Sequence, residues 1–207
     1  MDIQGRAREI IAAEAAAISA VQINDSFERA IAALESCLGK IVTTGMGKAG
    51  LIARKFAAVL CSTGTPAVFL HPGDAAHGDL GVINNGDCLV AFSTSGKTRE
   101  VLEMIQQSRS VGLTTIIAMT SHEDSGLRRV TDIVVDMGYV EEPCPLKLTP
   151  TSSIAVMAAL SDALALVLME RKKITAEDFG LRHHGGYLGQ SVRSSSATAP
   201  REKSVRL

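Results

Sequence analysis

Apolar residues recur at helical spacing over residues 3–23, through an Ala-rich interior with no Gly or Pro after Gly5, which predicts a first helix. Asp25-Ser-Phe-Glu28 has the form of a capping box and opens a second helix expected to reach about Leu38, where Gly39 ends it. From Lys40 the rhythm changes. KIVTTG is a short, continuous apolar run of the kind a buried strand needs, and GMGKAGLIARKFAAVLCS is a Gly-rich turn feeding a helix. Strand-like runs follow at residues 67–70, 88–93, 114–119 and 133–136, with helical patterns at 98–111 and 125–130. Strands alternating with helices at this spacing predict a three-layer α/β domain. A five-stranded parallel sheet is covered on both faces and preceded by two N-terminal helices.

The segment EEPCPLKLTP, residues 141–150, holds three prolines and reads as an irregular crossing. Residues 151–172 form a long helix with Ala, Met and Leu on nearly every face, so it is buried, either centrally or in a subunit contact. Ser, Asp and Lys interrupt the apolar stretches, and no membrane span is expected. After Gln190 the chain turns Ser-rich and basic without periodicity, which marks residues 1–190 as the domain and 191–207 as a disordered tail.

Composition narrows the function classes. With 207 residues there is material for one full core. Aromatics are 3% with no Trp, which leaves few platforms for stacking bases, and the net charge of −1 gives no electrostatic case for DNA, RNA or an anionic membrane. The polar start MDIQGRAREI lacks the apolar core of a signal peptide, so a cytoplasmic location is expected. Cys37, Cys61, Cys88 and Cys144 stand apart with no C-x-x-C pair, as expected of reduced thiols rather than a zinc site or disulfides.

Candidate chemistry concentrates where strands end. His71 to Gly81 reads HPGDAAHGDLG: two His, two Asp, a Pro and three Gly between apolar runs, a loop leaving a buried strand. Ser93 to Thr98 reads STSGKT at a strand-to-helix junction, where hydroxyls, backbone N–H groups and a helix N-terminus together suit a phosphate ester. TTGMGKAG, residues 43–50, is neither a P-loop nor a full dinucleotide fingerprint, and no acidic residue closes the second strand, so no nucleotide cofactor is expected. Lys48 sits on the first turn after it, as a site lysine or as a solvated one. Glu100 lies one turn into the helix after the phosphate loop, either facing a substrate or only complementing the helix dipole. Glu141 and Glu142 precede Pro143, and such a pair is often simply solvated. His183 and His184 stand before Gly185-Gly186, so the imidazoles are expected on a shaped loop, suited to moving protons near neutral pH. No H-x-x-x-H or H-x-E spacing supports a metal.

The segments GMGKAG, CSTGTPAVFLHPGDAAHGDLG, STSGKTRE, CPLKLTPTSSIAVMAALSDALA and TAEDFGLRHHGGYLG, between about Lys40 and Gln190, resemble the sugar-isomerase (SIS) domain family. Within it they resemble the isomerases that interconvert D-ribulose 5-phosphate and D-arabinose 5-phosphate. The resemblance implies Lys48, His77, Glu100, Glu142 and His183 as catalytic residues. Ser93, Ser95 and Thr98 would hold the phosphate, with Gly45, Ser62 and Thr63 as further substrate-binding positions. It also implies a role feeding Kdo and lipopolysaccharide synthesis, no cofactor, and a homotetramer whose active sites borrow a His from a neighbouring chain. Three departures stand out. Lys97 replaces a common Glu, His184 replaces a Pro, and the pair of CBS domains that follows in longer members does not follow here. Two other readings compete: an SIS isomerase acting on another ketose phosphate, and a non-catalytic sugar-phosphate sensor. A sensor has no need of proton-transfer groups beside its phosphate loop.

Overall fold

The computed structural model describes residues 1–183. The sheet has five parallel strands: β1 (Ile41–Gly45), β2 (Ala67–Phe69), β3 (Cys88–Phe92), β4 (Thr115–Thr120) and β5 (Ile133–Asp136), in the order β2-β1-β3-β4-β5. Side chains alternate across it as the pleat requires. Cys88, Val90 and Phe92 of β3 join one core with α2 (Asp25–Glu35), α3 (Gly47–Ser62) and α7 (Ser152–Arg171). Leu89 and Ala91 join a second core with α4 (Pro72–Ala75), α5 (Arg99–Ser110) and α6 (Gly126–Val130). These are the three layers expected. α1 (Ile3–Ser19) buries none of its residues and packs along α7, and α8 (Ala176–Arg182) closes the described chain.

Several boundaries moved for local reasons. α1 stops at Ser19, four residues short of the expected end. The cap of α2 is Asn24, whose side chain accepts from the Ser26 amide at 3.0 Å, and the helix ends at Glu35. A true capping box does occur, at Thr175 and Asp178 of α8. Gly39 therefore ends no helix. Its job is space, because a Cβ there would sit 2.1 Å from the Asp87 carboxylate. That carboxylate accepts from the Lys40 amide, the Lys40 ammonium and the Asn84 amide. The HPGDAAHGDLG segment is not an irregular loop. It contains α4, with His71 as cap and Pro72 at its first position, and a 3-10 turn over Asp79–Val82.

α7 also departs from expectation. Its 20 residues, with an 18-residue stretch of mean hydropathy 1.9, are long and apolar enough to cross a membrane by length and composition. Half of that stretch is buried against its neighbours, with Val156, Met157, Leu160, Leu164 and Leu168 in the core with α2 and α3. Core burial accounts for those residues, while Leu166 and Val167 stay exposed.

Candidate functional site

Strand order reverses between β1 and β3, so the turns after them splay apart and open a crevice beyond their carboxyl ends. The turn after β1 is built on backbone contact. A Cβ on Gly50 would meet the Gly45 carbonyl oxygen at 2.5 Å, and one on Gly45 would lie 3.0 Å from the Phe92 oxygen. Gly45 is thus a buried packing position that lets α3 start hard against the sheet. Lys48 follows on the first turn of α3 with its side chain exposed.

After β3, the Ser93 and Thr98 hydroxyls lie 2.8 Å apart, and Ser93 Oγ also accepts from the Gly96 amide at 3.1 Å. Ser95 Oγ accepts from the Lys97 amide at 3.2 Å. Gly96 has φ +60, and a Cβ there would fall 2.4 Å from Ser125 Oγ, so glycine is demanded by both backbone and space. Because Thr98 turns to Ser93, it makes no side-chain cap to α5. The first amides of α5 therefore have no cap from the Thr98 side chain, at the positive end of a 12-residue helix. Hydroxyls, amides and dipole converge on one spot, the arrangement an oxyanion ester needs.

Two cavities flank this loop. One, of about 230 Å³, lies between α4 and α5 and brings His77 and Glu100 together with Arg99 and Glu103. The other, of about 570 Å³, joins Thr94 of the phosphate loop to Ser121, His122, Tyr139, Glu142 and Ser153. Ser153 Oγ is buried there without a hydrogen-bond partner. Glu142 does unexpected work at this place. Its carboxylate accepts from the amides of Thr151 and Ser152 at 2.8 Å and of Ser153 at 3.1 Å, so it caps α7 from the preceding segment. Burial pushes its pKa up, but these amide hydrogen bonds outweigh burial and leave the carboxyl below the ordinary glutamate value.

Other expected residues lie elsewhere. α3 carries the chain from Lys48 to the opposite end of the sheet, about 24 Å for its length. Ser62 and Thr63 sit there, and the Thr63 hydroxyl is taken up by the Val59 and Leu60 carbonyls. α8 packs at that same end: Lys172 Nζ donates to Thr65 Oγ1 at 3.0 Å, and a Cβ on Gly64 would touch Ile174 and Arg182. His183 is the C-cap of α8, where the helix gives way to the expected loop. Its ring stacks on Phe179 with centroids 3.9 Å apart, and its Nδ1 lies 2.8 Å from the Phe179 carbonyl. A carbonyl only accepts, so Nδ1 is the donor in this contact, and the neutral form of the ring that fits it has its lone pair on Nε2. Within one chain His183 does not reach the crevice. His184, the two glycines after it and the tail lie outside the described residues.

Sequence reasoning missed Thr94, His122 and Ser153 as lining residues, and it missed Glu142 as a cap. Nothing local marks that cap, since acceptor and donors are nine to eleven positions apart. Among the described residues no three His, Cys, Asp or Glu side chains gather as a metal site would need, and the four cysteines are free.

Comparison with known proteins agrees with this architecture. The SIS domain family matches over residues 35–167. Arabinose 5-phosphate isomerase KdsD of Pseudomonas aeruginosa is 42% identical over 171 residues, covering 83% of this chain and 52% of the relative. KdsD of Escherichia coli K12 is 39% identical over 193 residues, covering 92% of this chain and 58% of the relative. The chain thus spans little more than half the length of these relatives. A solved Escherichia coli CFT073 protein in complex with arabinose 5-phosphate superposes with TM-score 0.85 at 38% identity, over 88% of this chain and 97% of that one. With the family match extending over most of the chain and the five-stranded parallel sheet in place, this chain belongs to the SIS domain family.

Proposed function

We propose that the chain is an aldose–ketose isomerase that interconverts D-ribulose 5-phosphate and D-arabinose 5-phosphate, supplying the aldose to Kdo and lipopolysaccharide synthesis in the cytoplasm. The observation that carries this is the Ser93–Thr98 loop, with its uncapped α5 amides, lying between one cavity holding His77 and Glu100 and another holding Glu142. The name shared by the relatives and the sugar phosphate bound by the structural neighbour support the choice of sugar.

In this reading Ser93, Ser95, Thr98 and the α5 amides hold the phosphate and so fix the register of C1 and C2. Isomerisation moves one proton between those carbons through an enediol and needs a base for the carbon-bound proton. His183, with Nδ1 donating to Phe179 and Nε2 free to accept, has the form of that base. Glu142 is a weaker candidate, since its carboxylate is fixed by three amides and its basicity is lowered. Lys48 offsets charge on the enediolate oxygen, while His77 and Glu100 serve the sugar oxygens and ring opening. His183 acts from a second subunit, in a homotetramer that shares its sites. The separation between α8 and Lys48 within one chain supports this, as do Leu51, Leu166, Val167 and Leu181, left exposed on the helices.

The deciding experiment is a coupled assay of the 207-residue chain on ribulose 5-phosphate beside hexulose and heptulose phosphates. Turnover confined to the pentulose phosphate is expected. A preference for another ketose phosphate, or binding without turnover, would overturn the assignment in favour of a different SIS isomerase or a sensor.

A further inference from the structure

Residues 139–150 run from β5 to α7 without regular structure and carry Glu142. Val140 packs against the core at the start of this strap, but Leu146 and Leu148 are 73% and 78% exposed and Lys147 stands at φ +52, so its later part has little packing of its own to hold it. The Lys147–Glu141 ion pair and the bond from the Lys147 amide to the Cys144 carbonyl are internal to it. Among the described residues, two sets of hydrogen bonds fasten it to the rest of the chain. One is the Glu142 carboxylate on the amides of Thr151, Ser152 and Ser153. The other comes from the far end of the sequence, where Arg6 Nη2 of α1 donates to the Pro143 carbonyl at 2.6 Å. The second guanidinium nitrogen is held by Glu9 at 2.9 Å, one helical turn on, which fixes the direction of the fork.

α1 does not otherwise close on this segment. A cleft of about 620 Å³ separates the strap from Ala13, Ala16, Ala17 and Ala20. The Arg6 contact is therefore a point tie across an open space, made next to the residue that caps α7 and lines the larger cavity. We propose that Arg6 is a positioning residue: through the Pro143 carbonyl it fixes the strap so that the Glu142 carboxylate stays seated on the α7 amides and presented to the site.

Hydrogen exchange and kinetics test the proposal together. The exchange half is independent of the isomerase reading, and the kinetic half rests on it. In Arg6→Ala the amides of Thr151, Ser152 and Ser153 should exchange about 10-fold faster, while amides of β3 and β4 stay as in the parent. On the pentulose phosphate, kcat should fall about 5- to 10-fold with KM changed less than about twofold, because the phosphate loop is untouched. Arg6→Lys, which keeps one charged donor, should recover most of both effects and guards against simple loss of α1. Unchanged protection at 151–153 in Arg6→Ala overturns the proposal, as does equal loss in the Lys and Ala variants. If the parent proves inactive on every sugar phosphate, the isomerase reading fails, while faster exchange still supports the tie.

Discussion

Ser93 and Thr98 hold each other at 2.8 Å, so removing either would open the loop as well as delete a ligand. Ser95 is the cleaner probe, since its Oγ accepts only from the Lys97 amide and its proton is free to donate. Ser95→Ala should raise KM for the sugar phosphate and the inhibition constant for inorganic phosphate by about 10- to 100-fold. That is the reach of a hydrogen bond to a charged group, at about 1.5–3 kcal/mol. Steady-state kinetics with phosphate as competitor checks it, and identical constants would remove Ser95 from the site. A second residue-scale prediction concerns the thiols. The Cys144 thiol is drawn down to about 6 by the Thr149 hydroxyl and by the amides of Thr149, Leu148 and Leu146, whereas burial pushes Cys88 up to about 12. Iodoacetamide should therefore label Cys144 with a midpoint near pH 6 and leave Cys88 untouched in the folded protein. Mass mapping across a pH series decides it. The turn at Ser93–Thr98 was legible from STSGKT because its hydroxyls and its glycine lie together in the sequence. Lys48 and Glu100 were legible only as positions, since a helix's first turn does not say what faces it. His122 and Ser153 gave no signal, because only the packing of β4 and α7 brings them to Thr94.

The helix α7 shows why elements read well and their ends do not. Its apolar run was visible at once, and its burial follows from three helical neighbours. Its beginning depends on Glu142, nine residues before the Thr151 amide that it accepts from, which no short pattern encodes. A pH prediction belongs to this element. The Glu142 carboxyl is held below the ordinary value, so its contribution to stability is complete above the unfolded pKa of about 4.3 and is lost as pH falls through the folded pKa. Glu142→Gln should be less stable than the parent at pH 7 by about 1 kcal/mol, the usual worth of a cap. The gap should close below about pH 4. Thermal unfolding of both proteins across pH 3–7 reports this, and a gap independent of pH would mean that the charge is not what seats the helix. The short turns of the HPGDAAHGDLG segment were hidden for a related reason. Pro72 with His71 as its cap starts a helix of only one turn, too short for periodicity to reveal.

At the scale of the molecule, the crevice and the expected base stand at opposite ends of the sheet. If the site is shared, Lys48→Ala and His183→Ala proteins should each be inactive alone. Mixed and allowed to exchange subunits, they should regain part of the parent activity. Light scattering alongside should show an oligomer, and a fully active monomer would defeat the shared site. The layer order and strand count were legible because a parallel sheet imposes its alternation on the whole chain. Which end of the molecule α8 would occupy was not, because it rests on contacts such as Lys172 with Thr65, 107 residues apart. The two outer strands carry a last consequence. β2 has three residues and β5 four, the shortest of the five, and Pro66 stands just before β2 while Asp132 and Asp136 bracket and end β5. A strand that short, framed by a missing donor or by charge, offers a poor template for an incoming strand. The open-ended growth that turns parallel sheets into fibres therefore finds little margin here on which to begin.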